Sequence, residues 1–243
     1  MGEMERKFPG SREKSLFASV ELSLRRLSPA NRERARVLGM FYGAVDLNML
    51  RMMMDWEKAD VTSLAGQLIE TGLATPNPYD HLTLNPALCP YLRGQMDTAQ
   101  GSPLTACWVD AMRGYTEYLR RWSMQQAELA ATLTVLELPN LFVLLEQIER
   151  AGDSEATINL ASSLFQLLQN SGKPRLLGRV AKVRDAAAAT LGATWNHAGF
   201  QAQRIRTEEH LDNSRLREAL EGAQQLLERA RAAGEKSYPP AWI

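Results

Sequence analysis

This sequence predicts a mainly α fold in two parts, and three features carry that prediction. Apolar residues recur at helical spacing along most of the 243 residues. One stretch, residues 73–84, drops to a period of two around turn-forming Pro and Asn. Beyond residue 102, helix pairs recur about every 40 residues with glycines at their ends, the pattern of stacked helical hairpins.

The elements follow in chain order. "SREKSLFASVELSLRRL" places Leu16, Val20, Leu24 and Leu27 on one face, and Ser28 with Pro29 forms an N-cap and first-turn pair that starts the next helix. That helix, "SPANRERARVLGMFYGA", is basic outside and buries Ala35, Leu38 and Phe41 or Tyr42. Asp46 caps "LNMLRMMMDW", whose Met49, Met52, Met53 and Met54 read as a core helix with one or two methionines outside, or as an adaptable contact surface. Asp60 caps "VTSLAGQLIETG", with Val61, Leu64, Ala65 and Leu68 as its stripe and Gly72 just past its end. "LATPNPYDHLTL" is a strand, a turn and a second strand in which Leu82 and Leu84 alternate with polar neighbours. Asn85 and Pro86 form another cap pair opening "PALCPYLRGQM", where Cys89 lies beside Leu88, Tyr91 and Leu92 as a small buried group. Helices, a hairpin and a trailing helix in this order make a winged-helix arrangement with the hairpin as its wing.

"DTAQGS", residues 97–102, reads as a polar linker. Helices are expected over about 103–126, 127–135, 138–151, 154–171, 174–192, 194–211 and 213–233, broken at Gly152, Gly172, Gly192 and Gly234. In the last of them Ala219 and Ala223 are small where a neighbour must approach closely. The chain then reaches "SYPPAWI" where a partner helix should begin, so the repeat array reads as truncated. The expected division is a winged-helix domain at 1–98, a helical linker at 99–136 and helical repeats at 137–243.

Bulk numbers agree with a globular protein: 45% apolar and 23% charged residues. The longest apolar runs, such as "AAAA" at 186–189, fall far short of the roughly 20 residues that cross a bilayer. The N-terminus is charged and has no apolar signal region, and Arg6 stands where a myristoylation motif needs Ser or Thr. Two cysteines, Cys89 and Cys107, read as reduced thiols. A cytoplasmic protein without membrane contact is expected.

Catalytic motifs are missing. "SGKP" at 171–174 is no phosphate loop, because Leu167 takes the place of its first glycine and Pro174 follows the lysine. His81 and Cys89 lack the further His or Cys that a zinc site needs. His197 and His210 read as packing or surface residues. No catalytic or metal site is expected, and the chain is read as non-enzymatic. Lys173, Arg175, Arg179, Lys182 and Arg184 form a basic run, and Arg175, Arg179 and Lys182 share one helix face. That stripe is either a solvated face or a surface for an anionic partner.

A winged helix raises the possibility of DNA binding. Reading a major groove takes Arg, Lys, Asn or Gln on the recognition helix. Residues 61–72 contain no Lys or Arg, only Gln67 and Glu70, and basic and acidic residues balance at 12 each before residue 98 and 16 each after it. Nucleic acid is therefore an unfavoured partner, and a DNA-binding regulator with a repeat sensor is the alternative to a protein-contacting module.

These segments resemble a known family. "EKSLFASVELSLRRLSPANRERARVLGMFYGAVDLNMLRMM" and "LAGQLIETGLATPNPYDHLTLNPALCPYLRGQM" look like the winged-helix domain that follows the nucleotide-binding domain in STAND signal-transduction ATPases of the NB-ARC and maltose-regulator type. "LELPNLFVLLEQIERAGDSEATINLASSLFQLLQNSGK" and "LREALEGAQQLLERARAAGEKSYPPA" resemble the tetratricopeptide-like (TPR-like) sensor repeats that come next. The resemblance implies a switch in which ADP holds the ATPase closed and an inducer on the repeats releases it. The nucleotide-binding domain is absent from this chain, so ATP and ADP belong to the full-length protein. In that family a histidine at the start of the helix after the wing senses the ADP β-phosphate; the matching position here is Asn85, whose amide can donate to phosphate.

Overall fold

The computed structural model describes residues 12–169, 172–191 and 196–233. The expected breaks at Gly192 and Gly234, the closing "SYPPAWI" and the N-terminal residues 1–11 lie outside the described residues. Mainly α is the architecture found, with one small antiparallel sheet. The chain divides into two compact units: residues 1–115 with 132–143, and residues 116–131 with 144–243.

In the first unit, α1 (Arg12–Leu24) is followed by α2 (Pro29–Ala35) and a 3₁₀ turn (Arg36–Met40). Ser28 starts α2 as expected, its side chain accepting a hydrogen bond from the Asn31 N–H, with Pro29 in the first turn. Strand β1 (Ala44–Asp46) then leads directly into α3 (Leu47–Met54). Asp46 caps α3, its Oδ1 accepting from the N–H groups of Asn48 and Met49 at 2.8 and 2.9 Å. Helix α4 (Lys58–Glu70) starts earlier than expected: Glu57 precedes it, and Asp60 sits inside the first turn, paired with Arg34 at 2.5 Å. Gly72 ends the helix region at φ +71°, a conformation that costs a side-chain-bearing residue about 1–2 kcal/mol.

Strands β2 (Ala74–Asn77) and β3 (His81–Leu84) form the hairpin, and β1 completes the sheet in the order β1-β3-β2. Pro76 is tolerated because β2 is an edge strand. Register places Asp46 of β1 opposite His81 of β3, with Val45 opposite Leu82. Strand β1 was not expected; it is three residues long and buried along its whole length. Helix α5 (Leu88–Arg93) begins later than the Asn85–Pro86 pair implied. Asn85 caps a preceding turn, its Oδ1 accepting from the Ala87 N–H at 3.0 Å and its carbonyl from the Leu88 N–H at 2.9 Å.

The core of this unit holds Val20, Leu24, Leu27, Ala35, Leu38, Phe41, Val61, Leu64, Ala65, Leu68, Leu82, Leu84, Leu88 and Cys89, as the apolar spacing predicted. Leu16 departs from its stripe and is 56% exposed, while its neighbour Phe17 packs on Tyr91 with ring centres 5.6 Å apart. Met49 is buried and Met52 exposed.

Residues 98–102 of the expected polar linker are helical: α6 runs Thr98–Ser123 and continues through Pro103 in its second turn. The two helices expected at 127–135 and 138–151 are one, α7 (Ala127–Arg150), which continues through Pro139. By length and composition α7 could cross a membrane, and half of its most apolar window is buried in the protein. The turns of α7 at residues 132–143 belong to the first unit, where Leu133, Leu141 and Phe142 are buried.

In the second unit, α8 (Ser154–Leu168), α9 (Pro174–Leu191), α10 (His197–Asp212) and α11 (Leu216–Ala233) follow as successive helices, with α8 packed on both α9 and α10, and α10 on α11. Asp153 and Asn196 cap α8 and α10 through their side chains. Small residues allow close approach: Ala187, Ala198 and Ala202 form one cluster with Ile158. Ala219 is buried as expected, whereas Ala223 is exposed; it is Gly222 that meets α10, at Thr207. Leu216 and Leu220 on α11 are 66% and 61% exposed.

Candidate functional site

The most unusual chemistry lies inside the first unit, at His81. Its side chain is 0% exposed, although it was expected to be an ordinary wing residue. Nδ1 lies 3.1 Å from the carbonyl oxygen of Tyr79. Nε2 is 3.2 Å from Glu137 Oε1 and 3.7 Å from Asp46 Oδ2. Tyr115 donates its hydroxyl to Asp46 Oδ2 at 3.1 Å. Asn140, one turn after Glu137 on α7, donates to Glu137 Oε2 at 2.6 Å and to the Ala44 carbonyl at 2.9 Å, and accepts from the Tyr42 N–H at 2.7 Å. A sheet, its turn and two helices thus share one buried polar cluster. Burial by itself lowers the proton affinity of His81; the Glu137 contact, the charges of Asp46 and Glu137 and the Tyr79 carbonyl outweigh it and hold the pKa above its ordinary value.

The turn that carries this histidine is strained. Tyr79 and Asp80 both have positive φ, 63° and 56°, and the Asp80 carbonyl accepts from the Leu47 N–H at 2.9 Å. Elsewhere in the first unit, Glu21 accepts from the Tyr91 hydroxyl at 2.5 Å and pairs with Arg25 and Arg32, joining α1, α2 and α5. Burial and the Glu21 carboxylate push the Tyr91 hydroxyl up to about 12.

Sequence reasoning missed Glu137, Asn140 and Tyr115. A signal was present: one carboxylate and one carboxamide a turn apart in the otherwise apolar "VLELPNLFVLL", which demand buried partners.

Asn85 is half-buried, and among the described residues its Nδ2 has no hydrogen-bond partner, leaving a donor free at that end of the sheet. Arg175, Arg179 and Lys182 are all exposed on α9. Arg179 pairs with Glu146 at 2.5 Å, half-exposed, so replacing it with alanine is expected to change stability by less than about 1 kcal/mol in thermal unfolding. Arg184, from the same basic run, points inward and is 0% exposed; it contacts Asp185 at 3.1 Å and Glu209 at 2.7 Å and lies 5.3 Å from the Phe165 ring centre.

A polar cavity of about 510 Å³ lies among α9, α10 and α11, lined by Asp185, Gln203, Arg206, His210, Glu218 and Arg229 with small residues between them. The Nδ1 of His210 is buried there without a partner among the described residues. No group of three or more His, Cys, Asp and Glu among the described residues is arranged to hold a metal ion.

Compared with protein-family models, curated proteins and solved structures, the chain matches none of them.

Proposed function

We propose that this chain is a non-enzymatic regulatory segment of a STAND-type signalling ATPase: a winged-helix module that passes inducer or partner binding on TPR-like repeats to a nucleotide-binding domain. One observation carries the reading. A strand precedes two helices and then pairs with the following hairpin in the order β1-β3-β2, the layout expected of a winged helix. Paired helices downstream, with a polar cavity large enough for a small molecule, support the sensor half. In this account the full-length protein binds ATP and ADP, Asn85 faces nucleotide at the family's sensing position, and an inducer occupies the repeats. The stripe of Arg175, Arg179 and Lys182 is a candidate partner surface. The protein works in the cytoplasm without membrane contact.

Packing weighs against the DNA alternative. Gln67 Oε1 accepts from the Ser28 N–H at 2.9 Å and Ser63 accepts from Asn31, so polar residues of α4 are engaged by α2 rather than offered to base edges. Salt-dependent binding to duplex DNA that weakens on changing Gln67 would revive that alternative.

Isothermal titration of the chain with ATP and with ADP is expected to show no tight binding. Affinity below about 1 μM for either would contradict a segment that relies on a separate nucleotide-binding domain.

A further inference from the structure

The two ring nitrogens of His81 face three acceptors. The Tyr79 carbonyl lies at Nδ1, and carboxylate oxygens of Glu137 and Asp46 lie at Nε2. A carbonyl and an ionised carboxylate only accept, and the Tyr115 hydroxyl, 3.5 Å from Nε2, donates to Asp46 Oδ2, so these neighbours favour the imidazolium with hydrogen on both ring nitrogens. The groups facing it are Asp46 from β1, the Tyr79 carbonyl from the turn, the Tyr115 hydroxyl from α6 and Glu137 from α7. Among these described groups His81 alone brings positive charge. Glu137 is itself 0% exposed, so water does little to screen it.

We propose that His81 is the charge switch of a latch: as imidazolium it holds residues 132–143 of α7 on β1 and β3, and as neutral imidazole it releases them. Loss of its proton to solvent breaks one N–H bond and forms no other bond in the protein. It leaves a bare ring nitrogen against an acceptor; Asp46 keeps Tyr115 and the N–H groups of Asn48 and Met49 as donors, whereas Glu137 keeps only Asn140 among the described residues. Asn140, still bonded to Tyr42 and Ala44, then holds the helix without ionic help. The direction of the pH effect follows from the raised pKa. The latch is fully closed below the unfolded-state value of about 6.5 and opens as pH rises through the folded value. The cluster lies in the first unit alone, while α7 also supplies residues 127–131 and 144–150 to the second.

The test uses the whole chain. Histidine ring signals of ¹⁵N-labelled protein are followed from about pH 6 to about pH 10, and amide hydrogen exchange, corrected for its intrinsic pH dependence, is read by peptide on the same samples. Protection of residues 132–143 is expected to fall about tenfold or more with the midpoint of the His81 titration, while residues 154–168 keep theirs. E137Q is expected to lower the His81 midpoint and to move the exchange midpoint with it. H81Q is expected to give weak, pH-independent protection of 132–143; should it fail to fold, the unmodified chain and E137Q decide the matter. Protection of 132–143 that ignores the His81 titration would overturn the latch. So would a loss spread equally over residues 12–115.

Discussion

Changing Glu137 to alanine is expected to destabilise the first unit by about 3–5 kcal/mol, the cost of leaving a buried charge without its partner. The substitution strips Nε2 of its nearer carboxylate and takes from Asn140 the acceptor it holds at 2.6 Å. Urea unfolding followed by exchange of first-unit peptides measures it. Glu137→Gln keeps the shape and one acceptor, so a smaller loss of about 1–3 kcal/mol is expected. A double variant with His81→Gln should lose less than the sum of the two single changes, because each removes the other's reason for cost. The Glu137→Ala penalty should also shrink with rising pH, since above the folded pKa of His81 the unmodified chain has lost the same contact.

Arg184→Ala is expected to cost the second unit about 2–4 kcal/mol. Two losses combine: the packing of a fully buried side chain against Phe165, and the cation between Asp185 and Glu209. Those two carboxylates are 38% and 18% exposed, so water reaches them and keeps the figure below that of a fully buried pair. Arg184→Met should recover about half, because it refills the space while the acids remain solvated. Thermal unfolding of the two variants separates packing from charge. The contrast with Arg179→Ala on the same helix, where a surface pair is removed, isolates burial as the deciding variable.

Helix positions were legible because their signals are local. Ser28 with Pro29, Asp46, Asp153 and the left-handed Gly72 and Gly152 each act within a few residues of where they stand. The merged helix α7 was not legible, since tertiary bonds from Asn140 to Tyr42 and Ala44 hold the chain helical through Pro139. Strand β1 was not legible either: three buried residues have no period to read, and their pairing with β3 is a long-range event. His81 was weighed only as a wing residue and as a zinc ligand lacking its partners, because the groups around it lie far away in sequence. Asp46 appeared only as a helix cap, which it is through Oδ1, while its Oδ2 serves Tyr115 and faces His81. The other members of the His81 cluster, Tyr115 and Glu137, come from distant helices that only the fold brings together.

The proposed role of these two units in a nucleotide switch is decided on the intact native polypeptide. Native mass spectrometry of the protein purified from its source cells, with nucleotide released on denaturation, gives both its length and its cargo. The expected result for the proposed role is a polypeptide heavier than 27.1 kDa by at least a nucleotide-binding domain, carrying ADP. A native polypeptide of 27.1 kDa without nucleotide would contradict it.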